Sequence, residues 1–171
     1  RIYLSFYQSN SNSGLSRGRM NFRYKISEFI GTICYVGHIP KAPGTWGSLI
    51  ALLGWYILKP QLSDPLFLLI TGGLFFLGIA VSEVLTETWD DSDPKAVVID
   101  EWVGMWIALY LTPHNLVWGM VAFLFFRIFD IFKPGPIQAM DDMPGAIGVM
   151  MDDVIAGILA CLVTQSLLYF Y

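Results

Sequence analysis

Greasy runs along the chain are separated by short charged or proline-rich interruptions, and the spacing predicts helices. KISEFIGTICYVG (25–37) reads as a short amphipathic helix. HIPKAPGTWGS (38–48) carries two prolines and two glycines and predicts a loop. It feeds LIALLGWYIL, a short apolar helix ended by Lys59-Pro60. PLFLLITGGLFFLGIAVS (65–82) holds 18 residues without a charge, enough to span a bilayer with little tilt. SEVLTETWDDSDPK follows as an acidic connector that starts with helix formers and breaks at Asp93-Pro94. The run 102–126, uncharged apart from His114, is split by Pro113-His114-Asn115 into a helical hairpin. Lys133-Pro134-Gly135-Pro136 forbids its continuation. A last apolar segment runs over 154–171. The pattern predicts an all-α chain, a compact bundle of about four or five short apolar helices.

Composition moves that bundle towards lipid. The chain has 171 residues, one domain's worth, of which 55% are hydrophobic and 14% charged; soluble domains average about 25% charged. Mean hydropathy is +0.57. These values favour a membrane-embedded, multi-pass protein over a soluble one with a large helical core. The net charge of −4, with no basic stripe, excludes a nucleic-acid binder. Residues 1–19 are rich in Ser and Asn and show no signal-peptide core, so 1–25 is expected to be disordered or extraneous, and 26–171 the domain. Half of the ten basic residues fall in that first stretch (Arg1, Arg17, Arg19, Arg23, Lys25), which places the N-terminus on the cytoplasmic side. Cys34 and Cys161 lie far apart in apolar surroundings, without metal or redox spacing.

Charge inside the greasy segments changes the picture again. Asp100 and Glu101 interrupt VVIDEWVGMW, Asp130 follows FRIF, and Asp152-Asp153 precede VIAGILA. Any one acidic pair is explained by a helix N-terminus, where the dipole favours negative charge. Five carboxylates in three apolar segments, brought together by a bundle, would repel one another unless a cation lay between them. Magnesium fits oxygen donors and keeps room for phosphate oxygens; two histidines and no cysteine cluster argue against zinc. Arg127, Asp130 and Lys133 follow at i, i+3 and i+6. They read either as an intrahelical ion pair with a snorkelling lysine or as phosphate-neutralising cations beside a metal ligand. In KAPGTWGS, Lys41, Thr45 and Ser48 offer a charge and two hydroxyls on a glycine-rich entry to a helix, which is either an anion site or a plain turn. Asp91-Ser92-Asp93 is no phosphatase nucleophile, because the residues before it are polar and Pro94 follows. His38 and His114 lack triad partners.

Four blocks together, PKAPGTWGSL, DPKAVVIDEWVGMWIAL, FRIFDIFKPGPI and GVMMDDVIAGI, spanning roughly residues 37–160, resemble the phosphatidylglycerophosphatase A family. The resemblance implies an all-α, membrane-associated, magnesium-dependent enzyme of the bacterial cytoplasmic membrane. It would hydrolyse phosphatidylglycerophosphate to phosphatidylglycerol. The family's acidic motif falls on Asp100 and Glu101. Its FRxxDxxKPxPI block falls on Arg127, Asp130, Lys133 and Pro134, and its DD pair on Asp152 and Asp153. Its PGTxGS loop falls on Pro43, Gly44, Thr45, Gly47 and Ser48. The stretch MDDMPGAIG departs from a more glycine-rich, basic segment, so Asp141 and Asp142 receive no role. The combined expectation is that Asp100, Glu101, Asp130, Asp152 and Asp153 share one or two Mg²⁺. Lys41, Thr45, Ser48, Arg127 and Lys133 would bind phosphate, and a water would attack phosphorus with Asp153 taking its proton. A phospho-aspartate is the alternative route. Cation or proton transport through the same carboxylates, or another lipid phosphate as substrate, are the rival functions.

Overall fold

In the computed structural model, residues 14–171 are described except 92, 142 and 144, and all regular structure among them is helical. Helix α1 spans Gly14–Gly31 and crosses the boundary that the sequence places at residue 25; residues 1–13 lie outside the described set. Three consecutive residues, Ile33, Cys34 and Tyr35, then take positive φ (48°, 54° and 68°), and a 3₁₀ turn covers Val36–His38. Helix α2 is Pro43–Leu58 and α3 is Asp64–Trp89. Helix α4 is Ile99–Ala108, α5 is Leu116–Phe132, α6 is Pro136–Asp141 and α7 is Ala146–Phe170.

Three boundaries differ from the expectation, each for a local reason. PGTWGS is not a loop: Pro43 is the first residue of α2, where a missing N–H costs nothing and a fixed φ suits the helix. The apolar run 65–82 and the first half of the acidic connector form one helix, because SEVLTETW contains no breaker before Asp90, which caps it at φ 52°. Helix α7 starts at Ala146, after Gly145 at φ 78°, so Asp152 and Asp153 lie in its interior rather than at its first turn. The dipole reading therefore survives for Asp100 and Glu101, in the first turn of α4, and fails for Asp152-Asp153.

Short α4 sits in the middle, packed against α2, α3, α5 and α7. Trp106 donates its indole N–H to the Ala51 carbonyl at 2.9 Å, and its ring packs on Phe67 at 4.9 Å. Helices α4 and α7 cross at two glycines. A Cβ on Gly104 would lie 2.6 Å from both the Asp153 carbonyl and the Phe126 ring, and one on Gly157 would collide with the Gly104 carbonyl. Only a missing side chain permits such close backbone approach. Asp100 precedes Gly104, and Asp153 precedes Gly157, by four residues, about one helical turn. The crossing thus draws the two acids together.

A hydrophobic core fills the bundle, yet large apolar side chains also lie on its outside and acids lie within it. Leu69 and Phe76 on α3 are each 71% exposed, while Asp153 is 2% exposed. By length and composition, α3 and α7 are long and apolar enough to cross a membrane; 28% of the apolar window of α3 and 50% of that of α7 are buried inside the bundle.

Candidate active site

The five predicted carboxylates converge on one cavity of about 580 Å³. Its floor is formed by the N-terminus of α4 and the interior of α7, and its walls by the end of α5 and the start of α2. Oxygens of Asp100, Glu101 and Asp153 lie within 4.8 Å of one another, and so do those of Asp130, Asp152 and Asp153, which makes Asp153 common to both groups. Asp100, Asp152 and Asp153 are buried.

The cations of the FRIFDIFK segment lean over this floor. Arg127 Nη1 is 2.6 Å from Asp130 Oδ2 and 4.0 Å from Glu101 Oε1. Lys133 Nζ donates to Asp152 Oδ2 at 2.8 Å. Lys133 reaches it because α5 ends there: the residue takes φ 43°, and Pro134 stops the helix. That left-handed cap is strained for a side chain other than glycine, and the strain sits at the site. The expected intrahelical pair between Arg127 and Asp130 is present, whereas Lys133 turns inward instead of snorkelling.

The phosphate ligands expected from KAPGTWGS divide. Pro43 and Gly44 line the cavity; Lys41, Thr45 and Ser48 do not. Lys41 is exposed, and Thr45 is half-buried in the first turn of α2. Ser48 is fully buried, donates to the Gly44 carbonyl at 2.7 Å and accepts from Arg127 Nη1 at 3.2 Å. It fixes the arginine and does not face the cavity. The helical start at Pro43 accounts for this: Ser48 shares the face of Gly44 but lies one turn deeper, buried between the Gly44 carbonyl and Arg127, while Thr45 lies about 100° round the helix from Gly44. A side chain at Gly44 would displace the Glu101 carboxylate, since its Cβ would collide with Glu101 Oε1. Two charged lining residues were given no place in the site by the sequence reading: Asp93, weighed only as a nucleophile and dismissed, and Lys95. Their signal was the charged DPK immediately before VVIDE. His38 pairs with Glu28 at 3.1 Å and His114 with the Tyr56 carbonyl at 2.8 Å, both outside the cavity lining. The side chain of Asp141, and Asp142 altogether, fall outside the described residues.

Electrostatics set the chemical limits. Six acidic and three basic side chains line the cavity. Burial pushes the Asp100 carboxyl well above the usual range, with the neighbouring Glu101 charge adding to the effect. Burial also pushes Glu101 up to about 7, against the pull of Arg127. Glu101 Oε2, Asp152 Oδ1 and Asp153 Oδ1 are buried without a hydrogen-bond partner. Leaving such oxygens unmatched costs several kcal/mol if they are charged. Hard oxygen donors of this kind, with no His or Cys among the lining residues, fit a hard divalent cation.

Comparison with known proteins places this cavity in a family. A putative phosphatidylinositol-3-phosphatase of Bacteroides thetaiotaomicron is 43% identical over 136 residues, covering 75% of this chain and 85% of the relative. The phosphatidylglycerophosphatase A of Haemophilus influenzae is 38% identical over 135 residues, covering 78% and 83%. That of Escherichia coli is 35% identical over 136 residues, covering 78% and 76%. No solved structure matches the chain. The family signature of phosphatidylglycerophosphatase A matches residues 29–168, which include both acid-bearing helices and the Arg127–Lys133 segment, and the chain belongs to that family.

Proposed function

We propose that the chain is a magnesium-dependent lipid phosphatase that converts phosphatidylglycerophosphate to phosphatidylglycerol and phosphate at the cytoplasmic face of a bacterial membrane. The observation that carries the reading is the set of unpartnered buried oxygens on Glu101, Asp152 and Asp153, facing a cavity walled by Arg127 and Lys133. An anionic headgroup would not enter a cavity with twice as many acids as bases. One divalent cation held by Asp100, Glu101, Asp130, Asp152 and Asp153 offsets most of that excess of negative charge, and a second would reverse it. When bound, it polarises the phosphoryl oxygens and lowers the pKa of nearby water. Arg127 and Lys133, each already oriented by a carboxylate, then stabilise the charge that builds on the transferring phosphoryl group. In the hydrolysis a water oxygen bonds to phosphorus and the bond from phosphorus to the glycerol oxygen breaks. Asp153, common to both carboxylate groups, takes the proton of the attacking water. The departing alkoxide takes up a proton to become the free hydroxyl of the product.

The exposed faces of α3 and α7 are the surfaces we assign to lipid. Tyr24 and Trp89, hydrogen-bonded at 3.3 Å, tie the basic helix α1 to the end of α3 nearest the cavity. The excess of Lys and Arg near the N-terminus supports a cytoplasmic position for the cavity. A second substrate, a phosphoinositide 3-phosphate, is favoured by the name of the Bacteroides relative. Both are headgroup monoesters and make the same demand on the metal site.

The test is phosphate release from phosphatidylglycerophosphate in detergent micelles, with Mg²⁺ or EDTA, for wild type, Asp100→Asn and Asp153→Asn. Metal-dependent turnover lost in both folded variants supports the reading. Undiminished turnover in both removes these carboxylates from the chemistry. A folded wild type that hydrolyses phosphatidylinositol 3-phosphate and leaves phosphatidylglycerophosphate untouched transfers the assignment to the second substrate.

A further inference from the structure

We infer that Lys95 forms a second anion subsite at the mouth of the cavity, which holds the phosphodiester of the lipid headgroup while the terminal monoester occupies the carboxylate floor. The inference rests on the lipid phosphatase reading and adds to it a recognition element for the part of the headgroup that does not react.

Three observations lead to it. The cavity is too large for the reacting group alone. Its 580 Å³ would take roughly 20 waters at about 30 Å³ each, far more than one phosphate needs. The three cations that line it are also not equivalent. Arg127 is engaged by Asp130 at 2.6 Å, and Lys133 by Asp152 at 2.8 Å, both over the floor. Lys95 is exposed, and among the described residues no carboxylate lies within ion-pair distance of it. A lysine on a cavity wall that is not spent on an internal carboxylate is available to an incoming anion. Finally, the backbone fixes its position. Val97 N–H donates to the Pro94 carbonyl at 2.8 Å, which closes a turn around Lys95, and Val98 N–H donates to the Gly31 carbonyl at 2.8 Å, which anchors that turn to α1. Asp100 follows directly in the first turn of α4, so Lys95 and the floor are held at a set separation.

A headgroup with two phosphates matches this division into a deep, metal-dependent end and a shallow end where Lys95 is the cation, with Asp93 the one acid beside it. The deep end discriminates monoesters, because only there do the carboxylates demand a cation. Lys95 contributes binding to the diester in both ground and transition states, so its loss raises KM and leaves kcat.

The experiment measures steady-state hydrolysis of phosphatidylglycerophosphate in neutral detergent micelles by wild type, Lys95→Gln and Lys95→Arg. Inhibition by inorganic phosphate and by the product phosphatidylglycerol is measured alongside. Lys95→Gln is expected to raise KM, and to weaken inhibition by phosphatidylglycerol, each about tenfold, the lower range for a charge-assisted contact because the lysine is exposed. Inhibition by inorganic phosphate and kcat stay within twofold, and Lys95→Arg restores the wild-type KM. Equal weakening of both inhibitors would move Lys95 to the reacting phosphate and overturn the subsite, as would unchanged KM in Lys95→Gln. Absence of turnover by folded wild type would instead defeat the lipid phosphatase reading, before any variant is compared.

Discussion

Replacing Gly104 by Ala tests whether the helix crossing, and not only the acids, makes the site. The added methyl would lie 2.6 Å from the carbonyl of Asp153 and 2.6 Å from the Phe126 ring, distances that real Cβ atoms do not adopt. One of the two contacts is backbone, so the strain cannot be relieved by a side-chain rotation. Helices α4 and α7 must move apart by several tenths of an ångström or more. Overpacking of this kind costs about 1–3 kcal/mol of stability. Its effect on catalysis is larger, because Asp100 and Asp153 are carried on the two helices that separate; a displacement of about 1 Å at reacting groups costs on the order of 10²-fold in rate. We expect a folded, less stable Gly104→Ala variant whose kcat falls between about 10-fold and 100-fold and whose magnesium requirement shifts to higher concentration. Gly73→Ala is the matched control: the same change in α3, where nothing lies within 4 Å of the new methyl, and so no loss. The assay is phosphate release across a magnesium titration, with thermal midpoints in the same detergent. Wild-type kcat and magnesium response in Gly104→Ala would refute the argument that the glycine crossing sets the carboxylate spacing.

Other outcomes follow from the same geometry. Ser48→Ala should lower kcat/KM about 10–100-fold, the worth of one hydrogen bond to a charged group that positions Arg127; a loss beyond 10³-fold would mean that Ser48 touches the reacting phosphate after all. Gly44→Ala should be far more damaging than its size suggests, since the methyl displaces Glu101; measured activity near wild type would show that Glu101 can move freely. Glu101 is held near 7, above its ordinary 4.5, so its contribution to folding without metal is complete below pH 4.5 and is lost as pH rises through 7. Added Mg²⁺ should therefore raise the thermal midpoint more at pH 8 than at pH 6, and an equal rise at both would contradict the raised pKa.

Much of the site was legible because its chemistry is costly. Charges in apolar segments are conspicuous, and the five acids, Arg127 and Lys133 all reach the cavity. What sequence patterning misjudged was direction. Lys41, Thr45 and Ser48 carry the right groups, but Lys41 stays exposed ahead of the helix, and a helix beginning at Pro43 sets Thr45 round from Gly44 and buries Ser48 one turn below it. Lys95 was passed over because a lone lysine in a polar connector looks solvated; only the pairing of Val98 with Gly31, distant in sequence, brings it to the wall. The crossing itself left a trace that periodicity alone could have found. DEWVG and DVIAG both place an acid and a glycine at i and i+4, on one helical face.

That repeated spacing also bears on how the protein is assembled. Asp100 and Asp153 sit about fifty residues apart in the chain, so they emerge from synthesis separately and meet only when α4 and α7 close on each other. Before closure each acid is hydrated; afterwards both share a pocket that tolerates them only with protons or a cation. Docking of these helices is then a step whose rate depends on counter-charge. On the magnesium reading proposed above, the ion would act as an assembly factor as well as a reagent, and a chain produced under magnesium starvation would accumulate with α4 and α7 apart, open to proteolysis at the crossing, before any defect in turnover was seen.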